Sequence, residues 1–163
     1  MNNKISIVLI PLSIHLNLFG QVADDSFQDV VLKNNIIDSL HVFGEWNKID
    51  GTETHLKYLG IIRSENGNFK IITSCWLWGS SKRATNRILV FNEDTTYLGN
   101  YHLAMKYDLP EKIENNQLVF FHSESDDCDK NIITRLSFDK GIPKQFFLEC
   151  KNGYGDVYSF YKE

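Results

Sequence analysis

The chain lacks most of the marks by which a function is read. No Gly-x-Ser-x-Gly, His-Glu-x-x-His, phosphate-binding Walker loop or Cys-x-x-Cys occurs in its 163 residues. The nucleophile elbow, helical zinc site, nucleotide cradle and dithiol centre built on those spacings are therefore missing. Beyond residue 20 the histidines are His41, His55, His102 and His122, and no two have the i, i+2 or i, i+4 spacing of a local metal site. Basic residues are scattered and the net charge is −4, so the positive footprint of a nucleic-acid binder is absent. Asn-x-Ser/Thr does not occur, and three cysteines allow at most one internal disulfide.

What is present begins with a targeting signature. Lys4 precedes a mostly apolar stretch, Ile5 to Phe19, too short to span a bilayer and followed by the small Gly20. Residues 1–20 read as a cleaved secretory signal, and residues 21–163 as a single β domain, secreted or periplasmic. No cysteine at the cut offers a lipid attachment point, and the remainder has no transmembrane segment. It carries 16 basic and 21 acidic side chains, a net charge of −5. A composition 42% hydrophobic and 13% aromatic can fill one core.

Phe69 to Trp78, Phe-Lys-Ile-Ile-Thr-Ser-Cys-Trp-Leu-Trp, is the most apolar run of that domain, and its β-branched and aromatic residues fit a pleated sheet. Asn66-Gly67 ahead of it signals a hairpin. Phe69, Ile71, Cys75 and Leu77 alternate to one face and Ile72, Trp76 and Trp78 to the other. A strand apolar on both faces is central, its second face covered by another element or offered to a partner. The expected cover is a short helix opened by Asp24-Asp25-Ser26, with Phe27, Val30 and Val31 on one face and an end near Asn34-Asn35.

Elsewhere apolar runs alternate with tight-turn clusters: His41–Ile49, Leu56–Arg63, Arg87–Phe91, Thr96–Leu103, Gln117–His122, Ile132–Phe138, Gln145–Cys150 and Val157–Tyr161. Gly79 to Asn86 reads as a polar loop and Met105 to Asn116 as a longer connection. The pattern predicts an all-β fold, an antiparallel meander of about eight to nine strands closed as a barrel or curved sandwich, with one short N-terminal helix.

If Ile132–Phe138 and Gln145–Cys150 form a hairpin about Gly141, Cys150 lies beside Asn131 and close to Cys128, so Cys128–Cys150 is the expected bridge. Cys75 is left as a small buried hydrophobe, since no His or basic residue adjoins it in sequence.

Trp76 and Trp78 run into the segment holding Lys82, Arg83 and Arg87. Two indoles and three cations near one strand end suit an anionic ligand or a sugar, and these five are the expected ligand-binding residues. Asp127-x-Asp129-x-Asn131 opens like a calcium loop, but Ile132 stands where Gly is needed and Phe138 where the bidentate Glu closes the site. The loop from Glu124 to Asn131 is expected to be solvated, and no metal or cofactor is expected. His102 and His122 come from separate runs, and a small hydrolase would need them to converge with a carboxylate such as Glu124 in a concave site.

Gly44-Glu45-Trp46 resembles the Gly-x-Trp that begins lipocalin barrels. The resemblance implies an eight-stranded barrel around a small apolar ligand, with Trp46 closing one end. It spans three residues. The chain departs from that family in ending on a strand at Tyr161 without a helix behind it, and Arg135 is not on the last strand, where that family's arginine stands. The function expected from all of this is an exported non-catalytic binding module for a small molecule, glycan or protein partner. Its alternatives are an inhibitor or immunity-type protein that docks through a flat apolar patch, and a small hydrolase with an unrecognised His/acid site. A structural envelope component would show neither pocket nor patch.

Overall fold

The computed structural model describes residues 19–122 and 124–162. The expected secretory signal lies outside the described residues but for Phe19 and Gly20, which open helix α1 (Phe19–Asn34). Ten strands follow among the described residues: β1 (Leu40–Gly44), β2 (Glu53–Ser64), β3 (Gly67–Trp78), β4 (Arg83–Phe91), β5 (Tyr97–Leu103), β6 (Lys112–Glu114), β7 (Gln117–Phe121), β8 (Ile133–Ser137), β9 (Gln145–Lys151) and β10 (Tyr154–Lys162). A 3-10 turn, Lys106–Asp108, lies between β5 and β6. Seven strands form one antiparallel sheet in the order β1-β2-β3-β4-β5-β10-β9, and β6-β7-β8 form a second. The sheets share no strand pairing, so no closed barrel is found among the described residues.

β3 is central, as its two apolar faces require. Phe69 and Ile71 enter the larger core, where Ile88, Val90 and Tyr101 meet Leu118 and Phe120 of the small sheet. Ile72 turns the other way and packs with Leu56, Tyr58, Leu89 and Phe91 under Val31 and Leu32 of α1. The helix is thus the cover for the second face, each fully buried aliphatic contributing about 2 kcal/mol. Its buried face differs from the expected one. Gln28, Val31 and Leu32 are buried while Val30 is 44% exposed, because residues three and four apart share a helical face and Val30 falls beside that stripe. The helix ends at Asn35, in the left-handed region (φ 52), whose N–H donates to Val31 O at 3.1 Å.

Several turns depart from expectation. β1 stops at Gly44 (φ +75) instead of reaching Ile49, because the Asn47 Oδ1 accepts from the N–H groups of Ile49 and Asp50 and folds the segment into a loop. The polar loop read from Gly79 to Asn86 shrinks to a four-residue turn, and β4 begins at Arg83. β6 was hidden in the long connection because three residues are too few to show alternation. It pairs with β7 across Asn115 and Asn116, both left-handed (φ 50 and 62).

That turn also fastens the two sheets. The Asn116 Oδ1 accepts from Arg63 N and its Nδ2 donates to Arg63 O, both at 2.8 Å. Asn116→Gly keeps the turn's backbone freedom and removes the clamp, so it should lower stability by about 1 kcal/mol in urea unfolding. A loss within error would show that the clamp contributes nothing.

The Cys128–Cys150 disulfide is present, with Cα atoms 4.6 Å apart, but the expected hairpin is not its cause. β8 pairs with β7 and β9 with β10, so the chain crosses between sheets at Gly141. The cysteines meet because Asp129 N donates to Cys150 O at 2.8 Å, laying the acidic loop against the end of β9.

Candidate functional site

Alternation puts Trp76 and Trp78 on the face of Ile72, at the far end of β3. Their rings stack with centroids 5.7 Å apart, the Trp78 Nε1 donates to Thr85 Oγ1 at 3.0 Å, and the Arg83 guanidinium stands 5.6 Å from the Trp78 ring. Lys82 turns aside to lie over Trp46, 5.1 Å from its ring, and the Trp46 Nε1 donates to Gly79 O. Arg87 sits farther along β4, opposite Ser74 and His102. The structure therefore gathers Trp76, Trp78 and Arg83, and it separates Lys82 and Arg87 from that stack. Trp46 does not close a barrel end; it ties the β1–β2 loop to the β3–β4 turn.

The opposite face of the same strands carries a cleft of about 420 Å³. Thr73 and Cys75 form its floor, and His55 and Lys57 one wall. Lys106, Leu109 and Phe121 stand across from them. Strand register sets His55 of β2, Cys75 of β3 and Asn86 of β4 side by side in one row, and the first two of them line the cleft. Two other hollows, about 450 and 500 Å³, lie at the other end of β2 and β3 beside the Asn68 and Glu93 side chains, and they gather no comparable set of titratable groups.

The polar groups of the cleft are arranged by identifiable partners. The His55 Nε2 lies 2.5 Å from Glu53 Oε1. This bond, with help from the Trp46 N–H, holds the Glu53 carboxyl below its ordinary range. A carboxylate only accepts, so in the neutral ring Nε2 carries the hydrogen and Nδ1 is left bare. Lys57 is tethered by Glu111 O at 2.8 Å and by Asp38 at 3.2 Å. Cys75 is free and buried, and its thiol is pushed up by burial first; the Lys106 ammonium offsets only part of this, and the Glu53 carboxylate adds to it. Next to Cys75 but outside the cleft lining, Asn86, 2% exposed, donates to Ala104 O, and its Oδ1 has no hydrogen-bond partner among the described residues.

The histidine pair that the hydrolase reading would require is not assembled. Tyr101 and Leu103 point into the core, so His102 points out, toward Arg87 and Tyr161; burial first, then Arg87, lowers its pKa. His122 is buried elsewhere, its Nε2 2.6 Å from Glu149 O. The acidic loop is turned on itself. The Asp129 Oδ1 accepts from Asn131 N and Nδ2, and the Ser125 Oγ from Asp127 N and Cys128 N. Among the described residues no three His, Cys, Asp or Glu side chains are placed to hold a metal ion.

No protein-family model, curated protein or solved structure matches this chain. What the site can do is therefore argued from its own geometry.

Proposed function

We propose that the chain is an exported, non-catalytic binding module that takes a small molecule in the cleft between β2–β3 and the Lys106–Glu111 segment. The cleft itself carries the reading. Its volume of about 420 Å³ falls in the range of small-ligand sites, and its lining sets the apolar Leu109 and Phe121 beside the charged Lys57, Lys106 and Glu124. The finer architecture proposed is a partly closed barrel, supported by the Arg63–Asn116 clamp between β2 and the β6–β7 hairpin. The Trp76, Trp78 and Arg83 stack stands at the same end of β3 as Cys75, on the opposite face of the strand. Secretion or periplasmic location is supported by the disulfide, a bond typical of oxidising compartments. Among the described residues no helix is long and apolar enough to cross a membrane.

A second reading, docking on another protein, draws on the outer faces of β9 and β10. There Phe147 and Val157 are directly paired and, with Tyr161, at least 45% exposed.

Native mass spectrometry of the chain purified from its own host tests the first reading. A co-purifying small molecule is expected, and Leu40→Trp should lose it. Leu40 is 58% exposed on strand β1 at the cleft wall, so an indole there obstructs the cleft at a position where aromatic residues suit a strand. An unchanged melting temperature with a retained ligand in this variant would place the ligand elsewhere and end the cleft reading.

A further inference from the structure

We propose that the outer face of β3, β4, β5 and β10, where Trp76 and Trp78 emerge, binds an acidic polysaccharide built of linked uronic acids. This site lies across the sheet from the cleft and does not depend on it.

α1 covers one part of that face, and the cluster beneath it takes in Leu56, Tyr58, Ile72, Leu89 and Phe91. Alternation places Trp76 and Trp78 on the same face beyond that cluster, with Arg83, Thr85 and Arg87 beside them on β4. His102 of β5 is in register with Arg87, and Tyr161 of β10 meets the His102 ring edge to face at 5.9 Å. Two aromatic pairs thus flank two arginines. From β3 to β10 the row crosses three strand spacings, about 14 Å, and Arg83 and Arg87, four residues apart on β4, are separated by about 13 Å. That extent suits several linked rings. The face is also open: Arg83 and His102 are exposed, Tyr161 is 60% exposed, and both indoles are half-buried.

Charge is the second observation. Gly67 to Phe91 contains Lys70, Lys82, Arg83 and Arg87 and no Asp or Glu, in a chain with 21 acidic side chains and a net charge of −4. β5 has no acid either. Arg83 forms no ion pair among the described residues, and its guanidinium is held 5.6 Å from the Trp78 ring. An anion is the complement of this face.

The indoles decide its kind. A free inorganic anion gains nothing from an indole, whereas the C–H face of a sugar ring packs on one, and the Arg83 fork suits the carboxylate that the same sugar carries. The Trp78 Nε1–H donates to Thr85 Oγ1, which fixes the ring and leaves the Thr85 hydroxyl hydrogen for a sugar oxygen. Single-stranded nucleic acid stacks on such rings too, but its backbone follows a continuous positive groove, and the basic residues of this chain are otherwise scattered. The Cys128–Cys150 bond is typical of oxidising compartments, where acidic glycans are the abundant polyanions.

Calorimetric titration of the full, disulfide-intact chain with oligogalacturonate at neutral pH tests the site. Binding is expected, and the methyl-esterified oligomer, which keeps the rings and loses the charge, should bind about tenfold more weakly. Arg83→Gln should weaken oligogalacturonate about tenfold at an unchanged melting temperature, and Tyr161→Ser about fivefold. Lys140→Gln, which removes an exposed cation at the Asn66 end of the sheet, should change nothing. Leu40→Trp, which obstructs the cleft, should leave this affinity as it is.

No binding, equal binding of the ester, or equal losses with Arg83→Gln and Lys140→Gln would overturn the proposal. So would tighter binding of oligothymidylate or of phosphatidylglycerol vesicles, which would make the face one for nucleic acid or lipid. If Leu40→Trp abolishes oligogalacturonate binding, the sugar occupies the cleft: the outer-face site is overturned and the cleft reading stands. Retained oligogalacturonate binding by a chain that carries no co-purifying small molecule supports the outer face and counts against the cleft alone.

Discussion

Replacing Cys128 and Cys150 together with serine is expected to lower stability by about 3 kcal/mol, the chain-entropy value for a loop of this size. The two cysteines are 22 residues apart, and the segment between them runs through β8 of the small sheet before crossing to β9 of the large one. Without the bond, the acidic loop is still tied to β9 by the contacts of Asp129 N with Cys150 O and of His122 Nε2 with Glu149 O. Urea unfolding of the double variant, which leaves Cys75 as its single thiol and so cannot reshuffle, measures the loss. In melting temperature the effect is roughly 10 °C for a domain of this size. A change below about 1 kcal/mol would mean that the loop is ordered by its own turns and needs no covalent closure.

Phe120→Ala should cost about 4 kcal/mol, the upper range for deleting a fully buried aromatic. Phe120 is 1% exposed on β7, and its ring lies 5.2 Å from that of Phe146 on β9. It is therefore part of the contact through which the three-stranded sheet packs on the seven-stranded one, and the cavity it leaves borders both. Val30→Ala on the open side of α1, at a position 44% exposed, should shift stability by under about 0.5 kcal/mol. If the two substitutions cost the same in chemical denaturation, the sheets do not share a single core.

The strands were legible because alternation and turn residues act over a few neighbours. Asn66-Gly67, Asn92 and Asn152-Gly153 each stand at a turn between paired strands. Pairing between distant strands was not legible. The hairpin imagined about Gly141 led to the right disulfide through a wrong neighbour, because nothing local tells β8 to join β7 and leaves β9 for β10.

The site shows the same limit more sharply. Counting back from the Asn66-Gly67 turn in unbroken antiparallel register sets Leu56 opposite Cys75. The irregularity between Tyr58 and Gly60 moves the pairing by one residue, and His55 takes that place. A sequence scan that looked for histidine next to cysteine along the chain had no access to that shift. Trp76, Trp78 and Arg83 were found together because they sit around one four-residue turn, whereas Lys82 was drawn away by Trp46, more than thirty positions earlier in the chain.

The place of β10 in the sheet sets the order in which the molecule can assemble. β10 lies between β5 and β9, pairing Phe160 with Tyr101, and β9 has no other sheet partner. Until the last residues are available, β5 keeps an open edge, Cys150 rides on an unpaired strand and the larger core lacks Tyr158 and Phe146. Contacts this far apart along the chain put folding in the slow range of milliseconds to seconds. A chain that emerges from its N-terminal end first therefore keeps the edge of β5 open until Tyr154–Lys162 has emerged as well.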